Sequence, residues 1–348
     1  MLDKGRTART VADLAAAGYI APERMKTLAP VAERYAVAIT PALGQLIDSS
    51  DPGDPIARQF VPSEQELISG PGEIADPIGD ERHSPVEGIV HRYPDRALLK
   101  LTHLCPVYCR FCFRREMVGP KDDAVLSPES LERALAYIAS KPEIWEVIMT
   151  GGDPFTLSPR RIADVTARLQ AISHVKVLRW HTRVPIADPA HVTEPLLRAL
   201  KSRRAVYVVI HVNHPRELTD AARDATAKMI DAGIPVLSQS VLLKGVNDDA
   251  DTLEALMRAL VEARIRPYYL HHPDLAPGTG HFRVPLVHGQ ALVRELKGRA
   301  SGLCQPAYVL DIPGGYAKAR VLNSDLRERD SAYELRDSEG EWHPYTGE

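Results

Sequence analysis

From about residue 97 the chain alternates short apolar runs with amphipathic stretches at helical spacing. The runs "ALLKLTHL", "EVIMT", "VKVLRWH", "AVYVVIHV", "PVLSQSVLL" and "RPYYLHH" read as strands. Between them, "SLERALAYIAS", "RRIADVTARLQAI", "TEPLLRALKS", "DAARDATAKMIDAG" and "TLEALMRALVEA" read as helices. A repeated βα order predicts an α/β fold with a parallel sheet and helices outside. Six such units suit an open doubly wound sheet or an incomplete barrel. A seventh apolar run, "AYVLDI", precedes a Gly-rich turn. Upstream, "TVADLAAAGYI" and "ERMKTLAPVAERYAVAI" have helical periodicity, whereas "SSDPGDPIARQFVPS" and "SGPGEIADPIGD" are rich in turn formers. The expected organisation is a helical and irregular extension over 1–85, a core over 86–300, and a last segment over 301–348.

The polar residues that break this pattern fall just after the strands. They are Cys105, Gly151, Gly152 and Asp153, Arg183, His211 and Asn213, Asp274, and Asp311. Ligands of parallel α/β folds sit at the carboxyl ends of strands. One shared site therefore explains the coincidence better than separate solvated loops do.

Composition narrows the classes. Lys and Arg total 43 against 46 Asp and Glu, a formal charge of −3, so nothing in the bulk balance predicts nucleic acid or an anionic membrane. No apolar run has transmembrane length, and the first residues lack a signal-peptide core. A cytoplasmic protein is expected. Clustered cysteines in a reducing compartment favour metal or redox chemistry over disulfides.

Three of the four cysteines lie in "CPVYCRFCFRR", spaced C-x3-C-x2-C. A closed zinc site needs a fourth ligand, which Cys304 or His103 could supply. A [4Fe–4S] cluster held by Cys105, Cys109 and Cys112 leaves one iron open to an exogenous chelator, and this is the reading adopted here.

With Phe111 before the last cysteine, the segment resembles the radical S-adenosylmethionine (SAM) motif, and "MTGGD" resembles the glycine-rich SAM-binding segment of that superfamily. The resemblance extends to the lysine 2,3-aminomutase family through "HSPVEGIVHRYPDRALLK", "HVNHP", "QSVLLKGVND", "YYLHHPDL", "GHFRVP" and "VLDIPGGYAK". It implies an incomplete (βα)6 barrel, a radical SAM cluster and pyridoxal 5′-phosphate (PLP). By that match Lys318 is the catalytic lysine that binds PLP, Arg92 and Arg96 hold its phosphate, and Tyr93 packs at the cofactor. Gly151, Gly152, Asp153, Arg183, His211, Asn213 and Gln239 are the further cofactor-binding candidates. Arg114 is expected to bind the substrate α-carboxylate, and Asp274 and Asp311 the distal ammonium of lysine. Tyr316 and Ala317 stand where many members keep glycine.

The implied reaction moves the α-amino group of L-lysine to the β-carbon, after a 5′-deoxyadenosyl radical takes a hydrogen there. The implied partners are lysine, a one-electron reductant protein, a second copy in a homodimer and, indirectly, elongation factor P, because the compact length is similar to the enzymes that make β-lysine for it. No structural zinc is expected. The competing readings are an aminomutase for another amino acid and an iron–sulfur protein without turnover.

Overall fold

The computed structural model describes residues 5–120, 123–322, 326–329, 332–337 and 340–345. Its centre is one nine-stranded sheet in simple order. Strands β1 (Ile89–Tyr93) and β2 (Arg96–Thr102) form an antiparallel hairpin. From β2 onward, β3 (Glu146–Gly151), β4 (Val177–Thr182), β5 (Ala205–His211), β6 (Val236–Val241), β7 (Arg266–His271) and β8 (Ala307–Asp311) run parallel. The last strand, β9 (Lys318–Arg320), turns back antiparallel on β8. The expected α/β incomplete barrel is present, with one more parallel strand than six and an antiparallel strand at each edge.

The crossover helices begin where side-chain chemistry says they should. Ser127, Ser158, Thr219 and Asp249 each accept a backbone N–H of the first turn in helices Pro128–Ala139, Pro159–Ala171, Asp220–Asp231 and Ala250–Glu262. Their apolar faces, including Leu131, Leu169 and Leu256, share one core with Val147, Leu178, Trp180, Val208, Ile210 and Leu270 of the sheet. Strand side chains alternate in direction, so Arg179, His181, His211, Gln239, His271 and Asp311 face the opposite, concave side. The concave side is thus polar because the barrel leaves it for something other than core.

The long helix Leu286–Arg299 escapes sequence reading, as does the short helix Pro55–Phe60 inside a segment expected to be loop. Gly289 and Gln290 interrupt the apolar spacing of the long helix. Gly289 is required by packing, since a Cβ there would lie 2.1 Å from the Tyr308 hydroxyl on β8.

The two sheet edges approach each other. The Lys318 backbone N–H donates to the Tyr93 hydroxyl at 2.8 Å, and Arg92 pairs with Asp311 at 2.9 Å. The N-terminal extension packs onto the barrel: Leu14, Leu28, Val31 and Phe60 belong to the same core as the sheet. A separate antiparallel sheet, β10 (Leu326–Arg329), β11 (Ala332–Arg336) and β12 (Trp342–Tyr345), lies in the last segment, parts of which fall outside the described residues. Among the described residues, no helix is long and apolar enough to cross a membrane.

Candidate active site

The three clustered cysteines lie on the loop that leaves β2, at the carboxyl end of the sheet. That loop is anchored to the N-terminal extension by a buried ionic knot. Glu66 accepts from Arg110 Nε at 3.0 Å and pairs with Arg115, while Arg110 Nη1 donates to the Ala36 carbonyl at 2.8 Å. The Arg110 backbone N–H donates to the Gln59 carbonyl at 2.8 Å, and the Arg115 guanidinium stacks 3.6 Å from the Tyr35 ring centre. Burial alone would raise the Glu66 carboxyl, but Arg110 and Arg115 hold it below the ordinary range. Glu66→Gln is expected to destabilise the protein by about 3–5 kcal/mol, because it strands two buried guanidinium groups. A denaturant midpoint within error of the parent would refute that estimate.

The thiols themselves sit in a charged setting. Arg183 Nη1 donates to Cys109 Sγ at 3.1 Å, and Arg183 Nη2 reaches Gln59 and Glu217. Burial pushes all three thiols up, Cys105 well above its usual value and Cys112 to about 11. A soft metal displaces thiol protons, and the neighbouring Arg183 and Arg114 offset the charge that then develops. Among the described residues no three His, Cys, Asp or Glu side chains converge on one ion. A cubane does not ask for that, since each cysteine binds a different iron. Cys304 is not a candidate fourth ligand: it precedes β8, at the amino end of the parallel sheet, and is 4% exposed in the core.

The Gly151–Asp153 segment packs against the start of the cysteine loop. Gly151 has φ +113°, and a Cβ there would lie 2.5 Å from the Thr102 carbonyl. A Cβ on Gly152 would lie 2.3 Å from the Leu104 carbonyl. The close approach these glycines permit is to the start of the cysteine loop, which they hold through Gly152 N–H to Thr102 O and Asp153 N–H to Leu104 O. Asp153 is a brace: its carboxylate accepts from Phe155 N–H, the Thr182 hydroxyl and Arg183 N–H. Asn213 is likewise engaged internally, donating to Gln59 and accepting from Val241 N–H. Arg183 is therefore fixed from both ends.

A chain of contacts leads from the thiols to Lys318. The Phe111 ring, next to Cys112, lies 5.7 Å from the His211 ring. His211 pairs with Gln239 across the sheet, and Gln239 with Tyr269. The Tyr269 ring is 5.6 Å from His271, whose Nδ1 is 3.4 Å from Lys318 Nζ. Lys318 ion-pairs with Asp311, which also pairs with Arg92. The Tyr93 ring meets the guanidinium groups of both Arg92, 5.0 Å from its centre, and Arg96, 3.9 Å from it. Burial, and next Lys318, lower His271 to about 3, so its ring is neutral beside the lysine. Burial opposes the Asp311 charge, but Lys318, His271 and Arg92 hold its carboxyl low.

Three observations test whether this cavity suits polar cofactors. The Nε2 atoms of His181, His211 and His271 are out of contact with solvent and have no hydrogen-bond partner among the described residues. Orphaned buried nitrogens on one concave face are expected where a polar ligand completes them. Asp274, in the loop after β7, is pushed up to about 7 by burial and by Asp311, against the pull of Lys318 and Arg114. Arg114 is held through Nε by Asp80 at 2.8 Å. The residue types present match an iron–sulfur cluster at the thiols and a phosphorylated aldehyde at Lys318.

Sequence reasoning missed Gln59, Glu66, Asp80, His181 and Glu217. One signal was legible: "SEQE" is a capping box, and Glu66 does accept the Ser63 N–H at 2.8 Å. Its second task, binding Arg110 and Arg115, joins positions 44 and 49 residues apart and leaves no local trace.

Comparison with known proteins agrees with this geometry. Residues 99–256 match the model of the Radical SAM superfamily. The L-lysine 2,3-aminomutase of Clostridium subterminale is 38% identical over 319 residues, 91% of this chain and 76% of that protein. The enzyme of the same name from Acetoanaerobium sticklandii is 38% identical over 322 residues, 92% of this chain and 78% of that protein. That of Escherichia coli K12 is 36% identical over 296 residues, 85% of each chain. With identity of 36–38% over 85–92% of its length, the chain belongs to the L-lysine 2,3-aminomutase family of radical SAM proteins.

Proposed function

We propose that this chain converts L-lysine to β-lysine with a [4Fe–4S] cluster, SAM and PLP. The observation that carries the reading is the single concave face onto which the thiol loop, Arg183, His211, His271 and Lys318 all open in contact sequence. Cys105, Cys109 and Cys112 would hold the cluster, Lys318 the PLP aldehyde, and Arg92, Arg96 and Gln239 the phosphate side, with Tyr93 packed against the cofactor. Gly151 and Gly152 shape the cluster loop, and Asp153 and Asn213 keep Arg183 and the strand ends in place. When bound, the cluster with SAM supplies a hydrogen-abstracting carbon radical and PLP a ring that spreads unpaired spin.

The protein's own share is placement and exclusion. Arg114 offers its guanidinium to the α-carboxylate. Asp274 and Asp311 take the distal ammonium; Asp311 keeps Arg92 in any case, so a substrate lacking that charge leaves Asp274 uncompensated, at about 1–3 kcal/mol. The apolar rings of Phe111, Phe282 and Tyr269 line the path and keep water from the reacting carbons. The reductant and the thiolate ligands that such a cluster needs support a reducing compartment, the cytoplasm, for this reading.

A pH dependence follows from Asp274. With a carboxyl titrating at about 7, Asp274 carries a proton at pH 6 and must release it to pair with an ammonium. The apparent affinity for lysine should fall with acidification below pH 7, by up to about tenfold per pH unit. Asp274→Asn should weaken binding by about tenfold or more and flatten that profile. In the ligand-free protein the sign reverses. A raised carboxyl contributes its stability in the protonated state, and that contribution is lost as pH rises through about 7. The test of function is anaerobic reconstitution with iron, sulfide, PLP and SAM, then chiral chromatography of the product from labelled lysine. Turnover of another amino acid in preference to lysine would reject the substrate assignment.

A further inference from the structure

The segment Asp76–His83, which carries Asp80, touches both the Arg114 side and the Lys318 side of the site. Asp76 accepts the backbone N–H groups of Asp80 and Glu81, each at 2.8 Å, which curls the segment. Gly79, at φ +68°, packs against the Pro-Gly-Gly turn that leads to Lys318. A Cβ on Gly79 would lie 2.6 Å from the Gly314 carbonyl, and one on Gly315 would lie 2.4 Å from the Ile78 carbonyl. Gly314 N–H donates to Pro77 O at 3.0 Å, and Arg82 Nη1 to Gly314 O at 2.9 Å. Arg92 Nη1 donates to Ile78 O at 3.2 Å. The adjoining residue, Asp80, accepts Arg114 Nε at 2.8 Å, with side chains only 2% and 10% exposed.

The bond to Arg114 is selective. It occupies Nε, and among the described residues Nη1 and Nη2 make no hydrogen bond. A guanidinium anchored at Nε presents its terminal nitrogens as a fork that suits a carboxylate. Lys100 and Arg92 add positive charge around Asp80, while Asp76 and Glu81 face Lys100 from the same segment. Asp80 therefore stays ionised in a setting that fixes the direction of Arg114 without consuming its free edge.

We propose that Asp80 is a positioning residue that aims Arg114 at the substrate α-carboxylate, and that segment 76–83 registers this anchor against the Lys318 turn. The inference rests on the assignment of Arg114 to that carboxylate. Its test uses PLP-loaded protein without reductant, so no turnover occurs. Binding of L-lysine and of lysinamide, which lacks the carboxylate, is read from the change in PLP absorbance. The parent should prefer lysine. Asp80→Asn should cut that preference about tenfold by weakening lysine and leaving lysinamide alone. Asp80→Glu, which keeps the charge but displaces it, should lose part of the preference and serves should the asparagine variant not fold. Equal weakening of both ligands, or no change in either, would overturn the role of Asp80. Arg114→Met should erase the preference entirely. If it does not, the Arg114 assignment falls, and this proposal with it; if it does while both Asp80 variants keep the preference, only the Asp80 step is wrong.

Discussion

Lys318→Ala is expected to end covalent PLP capture and, with it, all conversion of lysine. Borohydride treatment of PLP-loaded parent protein should fix one label on the peptide carrying Lys318; the variant should carry none. The geometry explains why no neighbour should substitute. Lys318 is the amine set beside neutral His271 and between Asp311 and the Tyr269 ring, 5.5 Å from its centre. Its backbone is fixed by the Tyr93 hydroxyl, and the preceding turn by Gly79 and Gly315. The variant should still fold, because Asp311 retains Arg92 at 2.9 Å. With Lys318 gone, the carboxyl of Asp311 should rise toward the ordinary range, since the largest charge holding it down is removed. Iron–sulfur absorbance should be unchanged, because the thiol loop is anchored through Glu66 and Arg183, away from the turn. A borohydride-fixed label that persists at another lysine would reject the assignment, while loss of the cluster as well would show that the two ends are not built independently.

The parts of this site that were legible in the sequence are those whose chemistry is local. The strand ends could be read from apolar runs that stop at polar residues, and this placed Cys105, Arg183, His211, Asp274 and Asp311 at one end of the sheet. The three-cysteine spacing is likewise local. What could not be read is which polar residues face the cavity and which serve the scaffold. Asp153 and Asn213 follow strands just as Arg183 and Asp311 do, yet their oxygens are taken by Thr182, Arg183 and Val241. What separates them is the identity of the partners: Arg183 reaches a cysteine thiol and Asp311 reaches Lys318, whereas Asp153 and Asn213 bond to scaffold groups. The glycines of "MTGGD" illustrate the same point. Their close neighbours in the chain are the carbonyls of Thr102 and Leu104, two loop positions that the sequence pattern alone does not identify. The later part of the N-terminal extension reads as irregular because Pro, Gly and Asp are frequent in "SSDPGDPIARQFVPS" and "SGPGEIADPIGD". Its order comes from distant partners: Glu66 for Arg110, Asp54 for Arg216, and Glu73 for Arg283. Such pairs have separations of tens to hundreds of residues, which no local pattern records.

Cys109→Ala should abolish reductive cleavage of SAM. Under anaerobic conditions with reductant, the parent should yield 5′-deoxyadenosine and the variant none above background. Two remaining thiols cannot close a site that already leaves one iron open. Cys109 is also the thiol that Arg183 touches, so its loss strands a guanidinium whose other bonds, to Gln59 and Glu217, hold it in place. That guanidinium cannot move away to compensate. The control is Cys304→Ala, which removes a buried sulfur from the far end of the sheet. It should cost some stability through a small cavity but leave iron content and deoxyadenosine yield intact. The pair of variants separates the two ways of reaching four ligands. If Cys304 completed the site, both substitutions would remove the metal; if one iron is open to SAM, only Cys109→Ala does. Restoring cluster absorbance in Cys109→Ala with an added small thiol, without restoring SAM cleavage, would point to Arg183 contact as a second requirement, since an exogenous sulfur is not held against that guanidinium.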